Sequence, residues 1–298
     1  MSLKIYFLET RPQFLTLSLV LVILGTSMAF YDGVFHPLHT ILVLVGLLLV
    51  HIGVNTLNDY FDYKSGIDLK TQRTPFSGGS GILVAGELSD KKVFWFGTIS
   101  FILAVPIGVY FILTVGWLLF PIFAIGTLLV FFYNTYFAKI GFGSPEFCAG
   151  LGMGTLPVLG IHIILTQGFS YSALYATIPS GILVCNLLLL NEFPDVEADK
   201  IGKRKTLPII LGKDTAARIY TALTFLVYMW IILGVTLQIM PPFTLIALLT
   251  LPMAFKAIGG SFAHKDASKM MPAQGANVMV VLFTQFLLGV GYILARVV

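Results

Sequence analysis

Nine apolar stretches fill most of this chain, at 12–31, 38–57, 93–114, 117–137, 147–166, 172–193, 216–237, 241–260 and 276–296. Each is about as long as the ~20 residues a helix needs to cross a bilayer. Inside lipid every backbone N–H and C=O must find its partner within the protein, which restricts spanning segments of this length to helices. What lies between them is too short for a soluble domain. The expected fold is therefore an all-α membrane protein of nine transmembrane helices, one domain over 1–298, with the lipid bilayer as its surroundings. Composition agrees, since 57% of residues are hydrophobic and 11% are charged, against roughly 25% charged in soluble proteins. The run 12–31 is too long for a signal-peptide core and Met1 to Arg11 offers no small-residue cleavage site, so it reads as the first span.

The charges are sorted. Nine spans place the N-terminus and the loops near 58–92, 138–146, 194–215 and 261–275 on one side of the membrane. That side and its helix ends hold all of the 18 Lys and Arg except Arg296, and all of the 14 Asp and Glu except Asp32. The positive-inside rule makes it the cytoplasmic side. Charge confined to membrane edges gives no reason to expect a nucleic-acid partner. Cys148 and Cys185 both fall inside spans and read as small buried hydrophobes. His36, His39, His51, His162 and His264 show no ligand spacing and read as packed or interfacial side chains.

Carboxylates at the edge of a membrane core are costly unless something compensates them, and here they come in two matching clusters. Asn58-Asp59-Tyr60-Phe61-Asp62 closes the second span, and Asn191-Glu192-Phe193-Pro194-Asp195 closes the sixth. Acids continue downstream at Asp68 and Asp199, and basic stretches follow at Arg73-Thr74-Pro75 and Lys203-Arg204-Lys205-Thr206. The clusters are four helices apart, so both host helices leave the membrane on the same side. That fits a duplicated unit, with halves of approximately 1–146 and 147–275 and a ninth helix. Residues three and four apart share a helix face. Asn55, Asn58, Asp59 and Asp62 thus form one polar stripe, and Asn191, Glu192, Asp195 and Asp199 another.

Facing each other, the stripes make an oxygen-lined cup suited to Mg²⁺, which takes one or two carboxylates and fills its shell with water and phosphate oxygens. Cations nearby complete a site for a diphosphate. Arg11, Arg73, Lys139 and Lys203 are the candidates, although positive-inside anchoring also accounts for each. Pro194 is expected to break or kink the sixth helix. The loop from Leu69 to Glu87, with Ser77-Gly78-Gly79-Ser80-Gly81, reads as a pliable lid, not a Walker loop, because no Gly-Lys-Ser/Thr follows.

The run Asn58 to Asp68, joined with Asp195-Val196-Glu197-Ala198-Asp199 through Gly202-Lys203 and Thr206-Leu207, resembles the UbiA superfamily of intramembrane prenyltransferases. The resemblance spans the chain. It implies two four-helix halves plus one helix around a cavity open at the cytoplasmic face and to lipid. It implies Mg²⁺-dependent transfer of a prenyl group from a prenyl diphosphate to an acceptor. Metal ligation falls to Asp59, Asp62, Asp195 and Asp199, with Asn58, Asn191 and the cations above on the diphosphate. Asp62 or Asp68 could assist loss of the final proton. The chain departs from the family pattern at Gly66, where many members carry an acid, and its next acid is Asp68. The sequence Arg73 to Gly81, and loosely Gly143-Ser144-Pro145-Glu146, looks more like the menaquinone-pathway branch, which implies an aromatic, quinone-precursor acceptor.

A branch that prenylates a glycerol-phosphate lipid precursor is the alternative acceptor reading. Other classes fit less of the pattern. A CDP-alcohol phosphotransferase carries its acids in one compact motif, and a cation-coupled transporter carries them near the midplane on interrupted helices. The charge distribution predicts that, in a cysteine-free background, single cysteines at Lys203 and Lys265 are labelled from the cytoplasmic side and one at Gln167 from the other. Labelling of Lys203 and Gln167 from the same face would contradict the orientation.

Overall fold

The computed structural model describes residues 3–298. Among them, nine helices are long and apolar enough to cross a membrane, and no strand occurs. In chain order the spans are Pro12–Tyr31, Pro37–Ser65, Asp90–Val115, Trp117–Ile140, Ser144–Thr166, Tyr171–Ile201, Lys213–Thr236, Pro242–Phe262 and Ser268–Val297. A short helix, Leu3–Glu9, precedes them.

Local chemistry sets the ends. Pro12, Pro37 and Pro242 stand in the first turn of their helices, where the absent N–H has no partner to lose and the fixed φ is already helical. The second span ends at Gly66, whose φ of 83° places it in the left-handed region, a conformation glycine adopts without steric cost. Ser170 caps the sixth span by accepting from the Ala173 amide at 3.3 Å.

The two motif-bearing helices run further than their apolar stretches. The second extends to Ser65 and the sixth to Ile201, so both acidic clusters are helical and the intervening loop narrows to residues 66–89. Pro194 does not end the sixth helix, which continues through it to Ile201. A proline forfeits one backbone hydrogen bond, and in a membrane bundle neighbouring groups absorb that loss.

The first span is the hub. It packs against the second, fifth and ninth spans, while the sixth packs against the fifth, seventh and ninth. Leu17, Leu21 and Leu24 of the first span meet Leu183, Val227, Val281 and Leu288 in the largest apolar core. The third and fourth spans are the most peripheral, and their Ile99, Ile102, Leu103 and Leu128 face outward, as lipid contact requires.

Because lipid tails are as apolar as leucine, helices in a membrane associate through close packing and polar contacts. Both occur. A Cβ on Gly154 in the fifth span would lie 2.6 Å from the Ser180 carbonyl oxygen and 2.8 Å from Gly181 Cα in the sixth. Elsewhere Asn186 donates to Thr224 Oγ1 at 2.9 Å, Tyr220 donates to Asn277 Oδ1 at 3.0 Å, and Asn277 donates to the Asn186 carbonyl at 3.1 Å. That ring of bonds ties the sixth, seventh and ninth spans.

Besides the 3-10 stretch Pro242–Thr250 that opens the eighth span, two spans carry π turns. The fourth contains a π-helical turn at Tyr133–Phe137 and the fifth another at Leu151–Thr155. Such bulges are frequent at functional sites.

The Gly154 contact predicts that Gly154→Ala destabilises the protein by about 1–3 kcal/mol, read as a lower thermal midpoint in detergent. Gly126→Ala, at a position with nothing within 4 Å of a Cβ, should be neutral. Equal midpoints for the two variants would refute the close approach.

Candidate active site

The second and sixth spans face one another across a cavity of ≈ 230 Å³ at the end of the bundle that carries the acidic clusters. Asn58, Asp62 and Asp68 line it from one side, and Asn191, Asp195 and Asp199 from the other. Below them the walls turn apolar, with Phe14, Leu17, Met153, Val184 and Leu187. On the side between the first and ninth spans, Gln13 and Thr16 at the rim are exposed.

Arg204 joins the two halves of the site. Its guanidinium pairs with Asp62 and with Asp199 Oδ1, the latter at 3.1 Å, and donates to Asn134 Oδ1 at 3.2 Å. Asn134 also accepts from Asn58 Nδ2 at 3.1 Å. The chain reaches this arrangement by a tight turn after the sixth span. Lys203 takes a left-handed φ of 58°, and the Arg204 amide closes the turn on the Asp199 carbonyl at 3.1 Å. The guanidinium thus folds back over the helix it has just left. Asn134 sits in the π turn of the fourth span.

The departure at Gly66 has a physical reason. The left-handed turn there reverses the chain, and the Asp68 amide donates to the Asp62 carbonyl at 3.3 Å. Asp68 thereby reaches the cavity from two residues further on. Burial, and then the charges of Asp62 and Asp59, raise its carboxyl to about 8, so without a compensating cation it is mostly protonated at neutral pH.

The loop 66–89 packs over the site. The Ser80 amide donates to Asp59 Oδ2 at 2.7 Å and its hydroxyl donates to Glu9 Oε2 at 2.7 Å. Asp59 Oδ1 lies 3.5 Å from Arg11. Gly79, at φ 71°, passes so near that a Cβ would lie 3.1 Å from Asp59 Oδ1 and 3.3 Å from Asp68 Oδ2. Asp59 therefore faces the loop and Arg11, outside the cavity lining. Glu9 is wholly buried, and burial followed by the Asp59 charge raises its carboxyl to about 8.

Of the cations singled out in the sequence, Arg11 lines the cavity. Arg73 instead donates from Nε to the Gly78 carbonyl at 3.1 Å, steadying the loop from its exposed side. Lys139 and Lys203 are exposed and outside the cavity wall. Arg204, Asn134 and Glu9 were not singled out. Only Arg204 left a trace in the sequence, as the middle of three consecutive basic residues.

Five carboxyl groups (Asp62, Asp68, Glu192, Asp195 and Asp199) and two guanidiniums (Arg11 and Arg204) line the cavity. The surplus is acidic. Asp195 Oδ1 and Glu192 Oε2 are buried without a hydrogen-bond partner among the described residues, a costly state for an acid oxygen. These are hard oxygen donors, and none of the described Cys or His residues joins a metal-ligating cluster. No three acidic side chains converge on one point among the described residues. Unpartnered hard oxygen donors fit Mg²⁺, which keeps several waters and shares its shell with substrate phosphate.

Removing a partner from a buried ion pair leaves an uncompensated charge and costs about 3–5 kcal/mol. Arg204→Met should therefore lower the thermal midpoint clearly in the absence of ligand. Arg204→Lys should recover only part of it, because a lysine cannot present the planar fork. A midpoint unchanged in both variants would show that the pairings carry no stability.

A UbiA prenyltransferase family model matches residues 18–293. Among curated relatives, the 1,4-dihydroxy-2-naphthoate octaprenyltransferase of Bacillus subtilis (strain 168) is 29% identical, over 96% of this chain and 91% of that protein. The UbiA prenyltransferase domain-containing protein 1 of Gallus gallus is 28% identical, over 96% of this chain and 84% of that protein. The fold resembles a solved digeranylgeranylglyceryl phosphate synthase, with TM-score 0.68, 19% identity and 98% of each chain covered. It also resembles a UbiA homologue from Archaeoglobus fulgidus bound to GPP and Mg²⁺, with TM-score 0.61, 13% identity, and 95% of this chain and 99% of that one covered. A nine-span bundle, paired acidic helices and a match over nearly its whole length place this chain in the UbiA prenyltransferase family, as an integral membrane prenyltransferase.

Proposed function

We propose that the enzyme transfers a prenyl group from a prenyl diphosphate to an aromatic quinone-precursor acceptor, with Mg²⁺ and within the membrane. The observation that carries the reading is the acid-rich cup of the second and sixth spans, opening onto an apolar chamber. Two relatives named as 1,4-dihydroxy-2-naphthoate octaprenyltransferases support the acceptor class.

Asp62 on one side of the cup and Asp195 and Asp199 on the other would hold Mg²⁺, with one or two carboxylates to each ion and Asp68 beside them. Bound there, Mg²⁺ would neutralise charge developing on the departing diphosphate. Asn58, Asn191, Arg11 and Arg204 line the same space and bind its oxygens by hydrogen bonds and charge. Asp59 holds the loop and Arg11 in place. Divalent cations bound there would offset the acidic surplus of the lining, and Arg11 and Arg204 would offset part of the diphosphate's charge.

The allylic C–O bond breaks with both electrons leaving on the diphosphate. The apolar walls keep water from the allylic cation that remains. A ring carbon of the acceptor supplies the electron pair for the new C–C bond, and that carbon then loses its proton. Asp68, which lines the cavity, is the candidate to receive it, since cations bound beside it would hold its carboxyl ionised. The loop 66–89 would close further over the site when both substrates are bound, and the N-terminus and this loop would lie on the cytoplasmic side.

Purified protein, offered a panel of prenyl diphosphates with 1,4-dihydroxy-2-naphthoate, other hydroxylated aromatics and a glycerol phosphate, should form an aromatic prenyl product visible by mass spectrometry. EDTA should abolish it. Asp62→Asn and Asp195→Asn keep the side-chain shape and should each lower kcat by roughly 10²–10³-fold. Near-normal turnover of either variant at saturating Mg²⁺, or product only with the glycerol phosphate, would overturn the reading.

A further inference from the structure

The polar stripe of the second span does not stop at the carboxylates. His51, Asn55, Asn58 and Asp62 are spaced by four, three and four residues, so they share one face, and three of them besides Asn58 are buried. At a rise of about 1.5 Å per residue, His51 sits ~10 Å deeper than Asn58, among the apolar walls. It lines the cavity there.

Its ring is held from behind. His51 Nδ1 lies 2.8 Å from the hydroxyl of Ser18, a fully buried residue of the first span. That hydroxyl has no other partner among the described residues. A buried O–H is costly to leave unpaired, so it donates to Nδ1. Nε2 then carries the proton of the neutral ring. This N–H has no protein partner among the described residues.

One turn above, Asn55 donates one amide N–H to the Thr10 carbonyl at 2.9 Å, which fixes the orientation of its amide. Its side-chain oxygen is left as an acceptor without a protein partner among the described residues. The deep chamber thus offers the His51 donor and the Asn55 acceptor, a helical turn apart, in largely apolar walls. A prenyl tail has no use for either. An aromatic ring bearing oxygens uses both, and ~10 Å is about the reach of a bicyclic acceptor lying below the diphosphate.

We propose that His51 binds the aromatic acceptor, donating Nε2–H to a ring-borne oxygen while Asn55 accepts from its hydroxyl. The ring is thereby held with its nucleophilic carbon towards the diphosphate end. Ser18 acts through His51, fixing its tautomer. This inference rests on the functional reading above.

Steady-state kinetics with varied acceptor and varied prenyl diphosphate test it. His51→Leu should raise the acceptor KM by about ten- to a hundredfold and leave the prenyl diphosphate KM within threefold. His51→Gln, whose amide can donate, should recover part of the loss, and Ser18→Ala should show a smaller rise in the same constant. Calorimetric binding of a non-hydrolysable prenyl diphosphate analogue with Mg²⁺ should be unchanged in all three.

An acceptor KM unmoved in His51→Leu, or raised equally with that of the prenyl diphosphate, overturns the assignment while the functional reading stands. Should His51→Leu fail to fold, His51→Gln and Ser18→Ala decide, and an unmoved acceptor KM in both overturns it. A wild-type enzyme that prenylates no aromatic acceptor overturns the functional reading and this assignment together.

Discussion

The guanidinium of Arg204, pinned between Asp62 and Asp199, is the contact on which the site depends. A charge this deeply placed is tolerated only when its partners are close and several. Here two carboxylates and Asn134 surround it. Because Asp62 belongs to the second span and Asp199 to the sixth, the same contact holds the two acidic helices at a fixed separation. It also lowers the repulsion that would drive their carboxylates apart before any cation is present.

A second tie runs through Asp59. By accepting from Ser80 and attracting Arg11, it connects the second span to the loop above it and to the start of the first span. Glu9 adds to this by accepting from the Ser80 hydroxyl. The loop is therefore anchored by polar contacts at its middle, while its outer turn is held by Arg73 and by the Thr74 hydroxyl, which accepts from the Phe76 and Ser77 amides.

Beneath the site, the scaffold is rigid for reasons particular to lipid. Close glycine contacts join the fifth and sixth spans, and side-chain hydrogen bonds join the sixth, seventh and ninth. The third and fourth spans are mostly lipid-facing, yet the fourth reaches the site through the π turn that presents Asn134. The extra residue per turn rotates the helix locally and lets one polar side chain leave the lipid-facing pattern of its neighbours.

The sequence alone determined the class of the fold, because nine long apolar stretches in lipid have no structure open to them but helices. It also determined the two acidic helices, because carboxylates at a membrane edge are too costly to be incidental and their spacing puts them on single faces. The tertiary structure decided which cation enters. Lys203, Arg204 and Lys205 are equivalent as letters, and only the left-handed turn at Lys203 selects Arg204 for the interior. It carried the sixth helix through Pro194, since packing outweighed a single lost backbone bond. It turned Asp59 away from the cavity towards a loop, and it placed His51, which reads from the sequence as a packed or interfacial side chain, against Ser18 and the cavity. Those outcomes depend on contacts between residues tens of positions apart, and helical periodicity holds no information about them.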